Sequence, residues 1–197
     1  MTETLSLAST LIILSAPSGA GKTSLCQELL RAFAPRLMLS ISSTTRMPRG
    51  QEQHGKEYFF LSRERFDAAI RRGEFAEWAE VHGNLYGTSR LFLDSALSSG
   101  MSVLLDIDVQ GARQLRLAYP AKTFSIFVAP PDLDTLEERL RARGTDSPES
   151  ITRRMNAARE EMRAAPDFDK VIVNDDFPRA AAELRRIVAT VMSGTVT

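Results

Sequence analysis

At 197 residues, 43% hydrophobic and 25% charged, the chain has the composition of an ordinary globular protein, with room for one sizeable core and too little length for two independent domains. Lysine plus arginine equals aspartate plus glutamate at 25 each, so no global field favours nucleic acid or a membrane surface, and any anion site must be local. One cysteine, Cys26, excludes an internal disulfide or a Cys-x-x-Cys metal pair; a reducing cytoplasm fits, with the thiol buried.

In chain order, Thr10–Ser15 is a short apolar run bounded by Pro-Ser-Gly and predicts a central parallel strand. With its Ile-Ile pair and no basic leader, this stretch is expected to be neither a signal peptide nor a membrane span. From Lys22, Leu25, Leu29, Leu30 and Phe33 recur at helical spacing until Pro35. Leu37–Ser42 predicts a second strand, polar Ser43–Glu57 a long excursion, and Tyr58–Leu61 a return to strand. Ser62 is placed to N-cap a helix carrying Phe66, Ala69 and Ile70, which Gly73 ends. Residues 89–99 predict a helix closed by Gly100, and Val103–Ile107 a buried strand leading into Asp106-Ile-Asp108. Thr123–Val128 predicts another strand, stopped by Pro130-Pro131. Leu133–Arg143 and about Ser147–Ala164 read as charged helices broken at Gly144, followed by a strand at Val171–Val173 and a helix at Arg179–Met192. Alternating strands and helices with continuous apolar strands predict an α/β, three-layer fold on a parallel sheet. The two histidines, His54 and His82, lack ligand-like spacing and receive no metal role.

The stretch Ser15-Ala-Pro-Ser-Gly-Ala-Gly-Lys-Thr-Ser24 sits between the first strand and the first helix. Gly19, Gly21, Lys22 and Thr23 fit the phosphate-binding pattern G-x-x-x-x-G-K-[ST]. There, backbone N–H groups surround phosphate oxygens, the lysine reaches the terminal phosphates and the hydroxyl holds Mg²⁺. The helix N-terminus adds a positive partial charge toward the same anion. Ala16 departs from the pattern's first glycine, but it precedes Pro17, which favours an extended conformation that alanine tolerates. A plain glycine turn with an incidental lysine is the bland alternative, and the strand–turn–helix context argues against it.

On the acceptor side, Arg46 and Arg49 flank a proline and precede Tyr58, a grouping suited to clamping one phosphate from several directions. Further on, Glu77 precedes a second Tyr-Gly-Thr element, Tyr86–Thr88. A carboxylate accepts hydrogen bonds only, so it selects a base with adjacent N–H donors. Guanine presents these at N1 and its exocyclic amine; the corresponding edge of adenine does not.

At these residues the chain resembles the guanylate kinase family. The matching segments are Ser15–Ser24, Ser40–Tyr58, Phe75–Ser89, Leu104–Gly111, the arginine region 139–154 and Ile172–Asp176, in the family's order across nearly the whole chain. Bacterial members commonly carry the Ser-Ala-Pro-Ser-Gly-Ala-Gly-Lys form, which makes Ala16 a minor departure. The order Pro-Arg-Gly-Gln-Glu52 is another, since the family usually places its glycine immediately before the glutamate. The resemblance implies a P-loop core with a parallel sheet, an inserted monophosphate-binding region and a helical lid. It implies a single domain over 1–197, with a core of about 1–40, 90–130 and 165–197, a GMP-binding region of about 41–89 and a lid of about 131–164.

The resemblance further implies ATP contacts from Ala16, Pro17, Ser18, Gly19, Ala20, Gly21, Lys22, Thr23 and Ser24, with adenine met by Asn174. It assigns the GMP phosphate to Arg46, Arg49, Tyr58 and Tyr86, and guanine to Ser42, Glu77, Thr88 and Asp108. Glu52 joins the acceptor contacts. Thr23 and Asp106 are the expected Mg²⁺ positions; which of Asp106 and Asp108 faces metal and which faces base is left open. Lys22, Arg46, Arg139, Arg143 and Arg154 are the expected catalytic cations, the last three carried by a closing lid. The substrates implied are ATP and GMP, without nucleic acid or membrane, in the cytoplasm and with homo-oligomerisation possible.

Each feature also has a bland reading. Arg46 and Arg49 taken alone are solvated loop charges, the paired aspartates a turn signal, and Asn174 a cap on the last strand. Trp78 is expected in the core, and most lid arginines in surface pairs such as Glu137–Arg141, worth only tenths of a kcal/mol. Two other functions are compatible with the fold. One is a kinase acting on a different phosphorylated acceptor, such as a ribose bisphosphate. The other is a non-catalytic interaction module, which typically has a degraded phosphate loop. The guanine-selecting Glu77 and Ser42 argue against the first, and intact Lys22, Thr23 and lid arginines against the second.

Overall fold

The computed structural model describes residues 9–81, 83–142, 144 and 147–194. Its first half runs through β1 (Leu11–Ser15), α1 (Lys22–Phe33), β2 (Leu37–Leu39), β3 (Ser43–Thr44), β4 (Phe59–Phe60), α2 (Arg63–Arg71), β5 (Phe75–Val81) and β6 (Asn84–Ser89). The second half runs through α3 (Arg90–Ser98), β7 (Ser102–Asp106), α4 (Val109–Ala118), β8 (Thr123–Ala129), α5 (Leu133–Ala142), α6 (Pro148–Arg163), β9 (Lys170–Val173) and α7 (Phe177–Met192). A short 3-10 turn at Ala165–Asp167 precedes β9.

The large sheet is parallel, with β1 at its centre and the order β2-β7-β1-β8-β9. Its strands read as continuous apolar runs because helices cover both faces. Ile12 and Leu14 point to one side, where they meet Leu25 and Leu29 of α1 and Leu184 and Val188 of α7. Leu11 and Ile13 point to the other, against Leu93 of α3 and Ala112 and Leu115 of α4. This period-two split is the physical content of the three layers.

A second sheet, of order β4-β3-β6-β5, stands beside the first, with α2 supplying Phe66 and Ala69 to a small core around Phe75 and Leu85. Helices α5 and α6 pack on each other through Leu136, Leu140, Ile151, Met155 and Ala158. The expected surface pair of Glu137 with Arg141 is present at 2.5 Å.

Several elements differ from expectation. The strand predicted over Leu37–Ser42 ends at Leu39, and the chain leaves the large sheet so that Ser43–Thr44 pairs with β4 and β6 as β3. Polar Ser-Thr carries no apolar signature, so this strand lay hidden inside the predicted excursion. Residues 75–89, for which no elements were predicted, form the β5–β6 antiparallel pair. Helix α4 was likewise unpredicted, since Gly111 sits inside its weak helical pattern. Trp78 is 39% exposed rather than in the core, because alternation along β5 turns Glu77 and Ala79 inward and Trp78 outward. Cys26 is buried as expected, and burial pushes its thiol pKa up. His82 and Arg143 lie outside the described residues.

Candidate functional site

The turn between β1 and α1 opens at the carboxyl edge of the large sheet, the usual position of ligands in parallel α/β folds. Gly19 and Gly21 adopt φ of 103° and 90°, a left-handed region that residues with a Cβ avoid. The Ala20 N–H donates to the Pro17 carbonyl at 3.0 Å and closes the turn. Gly21 occupies the N-cap of α1 and provides no side-chain cap, so the helix begins with N–H groups directed at the turn. Ala16 packs against the core and Pro17 is buried, while Ser18, Thr23 and Ser24 are exposed.

β1 and β7 are neighbours, and their ends meet at this turn. Lys22 Nζ lies 2.6 Å from Asp106 Oδ1, and Ser15 Oγ donates to the Ile107 carbonyl at 2.7 Å. Burial alone would lower the Lys22 pKa, but the adjacent Asp106 carboxylate outweighs it and holds the ammonium above its ordinary value. Asp108 serves a different element: its Oδ1 caps α4 by accepting from the Gly111 N–H at 2.9 Å. The two aspartates are thus separated, Asp106 toward the phosphate turn and Asp108 toward Glu77.

A cavity of about 170 Å³ joins the two sheets. Lys22, Asp106 and Asp108 line it from the core, and Ser42, Tyr58, Glu77 and Tyr86 from the small sheet and its approach. Glu77 is 4% exposed and accepts from Thr88 Oγ1 at 2.5 Å, with Thr88 fully buried on β6 beside it. Burial, together with the nearby Asp108 charge, pushes the Glu77 pKa up to about 7 despite the Thr88 hydrogen bond.

Arg46 lies beside this cavity, its guanidinium 5.3 Å from the centre of the Tyr58 ring. Tyr58 in turn makes an edge contact with Tyr86 at 5.9 Å. Both Arg46 Nη atoms donate to Glu52 at 3.0 Å, and the Arg49 backbone N–H donates to the same carboxylate at 2.8 Å. Donation to Glu52 is the main cause that raises the Arg46 pKa, and Arg46 lowers that of Glu52. Glu52, expected as an acceptor contact, therefore spends its carboxylate on Arg46 and on the loop that carries Arg49. Arg49 itself is exposed.

The α5–α6 pair reaches the same turn from above. Arg139 Nη2 donates to the Asn174 carbonyl at 3.1 Å, and Arg154 Nη1 donates to Ser18 Oγ at 3.3 Å. Asn174, expected to meet adenine, instead turns its side chain inward: it is 5% exposed and its Nδ2 donates to the Ala20 carbonyl at 2.7 Å. Directly after β9, its backbone N–H also donates to the Ala129 carbonyl at 2.8 Å, so Asn174 closes the last strand as the alternative reading has it, while Asp176 caps α7 through the Arg179 N–H. Sequence reasoning passed over Ser15 and Gly111, the latter because a lone glycine inside a weak helical pattern signals little.

The chain matches the family model described as Guanylate kinase over residues 8–191. It is 50% identical over 178 residues to the guanylate kinase of Geobacter metallireducens, covering 90% of this chain and 87% of that protein. It is 51% identical over 178 residues to that of Geobacter sulfurreducens, with the same coverage of 90% and 87%. The crystal structure of guanylate kinase from Anaplasma phagocytophilum superposes with a TM-score of 0.74 at 33% identity, covering 93% of this chain and 86% of that one. With a family match over most of its length and half of its residues shared with such relatives, the chain belongs to the guanylate kinase family.

Proposed function

We propose that the cavity between the two sheets holds GMP with its phosphate toward Lys22, and that the β1–α1 turn holds ATP. The reaction is ATP-dependent phosphorylation of GMP, as in the family. One observation supports this arrangement above the others: a buried carboxylate, Glu77, shares a cavity of about 170 Å³ with the Lys22–Asp106 pair. A base-selecting acceptor and a phosphate-seeking cation in one enclosure suit a phosphorylated purine lying between them.

In this reading the acceptor region of about 41–89 brings GMP to the core, and the lid of about 131–164 stands over the phosphate turn. Glu77, supported by Thr88 and joined by Ser42, receives the guanine N–H donors, with Asp108 at its side. Arg46, Arg49, Tyr58 and Tyr86 hold the monophosphate, and Glu52 orients the Arg46 fork. A phosphate dianion is already nucleophilic, so no general base is required, and positioning and charge neutralisation carry the catalysis. Lys22 and the lid arginines Arg139, Arg143 and Arg154 offset the repulsion between two polyanions as the acceptor oxygen approaches the terminal phosphorus. Lid closure keeps water from accepting the phosphoryl group.

The Thr23 hydroxyl and the Asp106 carboxylate are hard oxygen donors of the type Mg²⁺ uses alongside substrate phosphates. Bound there, Mg²⁺ would supply charge neutralisation and orientation of the phosphate oxygens. No described helix is long and apolar enough to cross a membrane. The cytoplasm, where nucleotides and a reduced Cys26 coexist, is the proposed setting.

The test is a coupled ADP-release assay with ATP against GMP, AMP, CMP and UMP. Turnover with GMP well above the other three is expected. Equal turnover with AMP would remove the base-selecting role from Glu77.

A further inference from the structure

β5 is an edge strand of the small sheet, so the N–H and C=O groups on its outer side have no further strand to receive them. At Trp78 both are taken by one side chain of the core. Gln114 Oε1 accepts from the Trp78 N–H at 3.1 Å, and Gln114 Nε2 donates to the Trp78 carbonyl at 2.7 Å. A primary amide carries a donor and an acceptor side by side, as a peptide group does. Gln114 thus stands in for one residue of a missing strand and fixes the backbone immediately after Glu77. The need is local, since the β5–β6 register shifts between Phe75 and Glu77.

One turn earlier on α4, Gly111 faces the same carboxylate. A Cβ built on Gly111 would lie 2.4 Å from Glu77 Oε2 and 3.1 Å from its Cδ. Gly111 has no positive φ that would call for glycine, and glycine weakens a helix interior. The missing side chain therefore serves space. Asp108, Gly111 and Gln114, three residues apart, lie along one side of α4 as cap, gap and clasp.

We propose that Gly111 and Gln114 are positioning residues for acceptor specificity, Gly111 by leaving room for the Glu77 carboxylate and Gln114 by pinning β5 beside it. The proposal rests on the reading of Glu77 as the group that selects guanine. Both residues act through Glu77 and leave the ATP turn untouched. A carboxylate shifted by an added methyl loses its alignment with two adjacent N–H donors, and misplacements on the order of 1 Å can cost ~10²-fold.

The experiment measures KM and kcat for GMP and ATP, and the GMP:AMP preference, in Gly111→Ala, Gln114→Met, Glu77→Gln, Glu77→Asp and Gly111→Ala/Glu77→Asp. Gly111→Ala and Gln114→Met are expected to raise KM for GMP by about tenfold to a hundredfold with KM for ATP within about twofold. In the Glu77→Asp background, where the carboxylate is drawn back, Gly111→Ala is expected to cost far less. Unchanged KM for GMP, an equal rise for both substrates, or full additivity of Gly111→Ala with Glu77→Asp overturns the proposal. If Gly111→Ala does not fold, Gln114→Met decides the matter by the same ratio of KM values. Loss of GMP preference in Glu77→Gln, with preference retained in the Gly111 and Gln114 variants, sinks this inference alone. Retained preference in Glu77→Gln removes the reading beneath it.

Discussion

Lys22 Nζ and Asp106 Oδ1 are 2.6 Å apart, so the cation of the phosphate turn is held by the carboxylate that ends the neighbouring strand. The pair keeps the lysine charged and aimed along the cleft, at the cost of a competitor that an incoming phosphate must displace or share. Replacing Lys22 by Ala leaves Asp106 with its side chain 36% exposed, free to take up water, so the loss of stability should stay within ~1 kcal/mol. Turnover is a different matter. Positioned cations in phosphoryl transfer are worth ~10³–10⁵ in rate, and Lys22→Ala should lose an amount in that range. Steady-state turnover alongside a thermal melt checks both halves; wild-type-like turnover in a folded variant would remove Lys22 from the chemistry.

Glu77 carries the next prediction, in which stability and binding are linked. Its pKa is raised to about 7 in the fold against an ordinary 4.5, so between those values the folded state holds a proton that the unfolded chain has released. Stability contributed by this group is present below pH 4.5, declines as pH rises, and is lost above about 7. Glu77→Gln removes the charge while keeping an acceptor for Thr88. The variant should therefore be more stable than wild type at pH 8, by at most on the order of 3 kcal/mol, and should melt alike near pH 4. If Glu77 receives the guanine donors as an anion, GMP binding at pH 6 should release its proton, which calorimetry in buffers of different ionisation enthalpy detects. A melting difference that does not change with pH would contradict the buried, proton-holding state.

Much of this was legible in the chain, for reasons that particular residues make plain. The central strand and the phosphate turn announce themselves because backbone geometry demands residue types at fixed spacing: an apolar run, Gly19, Gly21, then Lys22. The surface pairing of Glu137 with Arg141 follows from helical spacing alone. The acceptor region was harder to read, because β3 is two polar residues long and its partners lie far away in sequence. The hydrogen bonds of Glu52 with Arg46 and of Asn174 with Ala20 were hidden for a related reason. A charged or amide side chain near a ligand can face the ligand or brace a neighbour, and only the packed structure distinguishes them. Trp78 went astray through a one-residue phase on a bulged strand, which spacing does not disclose.

Arg46 and Glu52 test that distinction on the acceptor side. Two parallel donors at 3.0 Å make a fork that holds the guanidinium plane against Tyr58. If Arg46 grips the monophosphate and Glu52 only orients it, Arg46→Ala should weaken GMP binding by about tenfold or more, and Glu52→Ala by clearly less. Arg46→Lys should not rescue, because an ammonium cannot reproduce the fork. Titration calorimetry of GMP against each variant ranks them. A larger loss for Glu52→Ala than for Arg46→Ala would make Glu52 the direct ligand.

Asn174 makes a prediction that separates a brace from a base contact. Its Nδ2 donates to the Ala20 carbonyl at 2.7 Å, and a Cβ on Gly21 would fall 2.4 Å from the same nitrogen, so the amide fills the back of the phosphate turn. Arg139 Nη2 meanwhile donates to the Asn174 carbonyl at 3.1 Å, linking α5 to this residue. Removing the amide leaves the Ala20 carbonyl without that partner, at a cost of about 1–3 kcal/mol. Asn174→Ala should therefore lower thermal stability and reduce kcat/KM for the phosphate donor by a similar factor whether that donor is ATP or GTP, since the damage lies under the phosphates. A contact with adenine would behave otherwise, penalising ATP and sparing GTP. The ratio of the two donors in Asn174→Ala, set against the same ratio in wild type, decides between them.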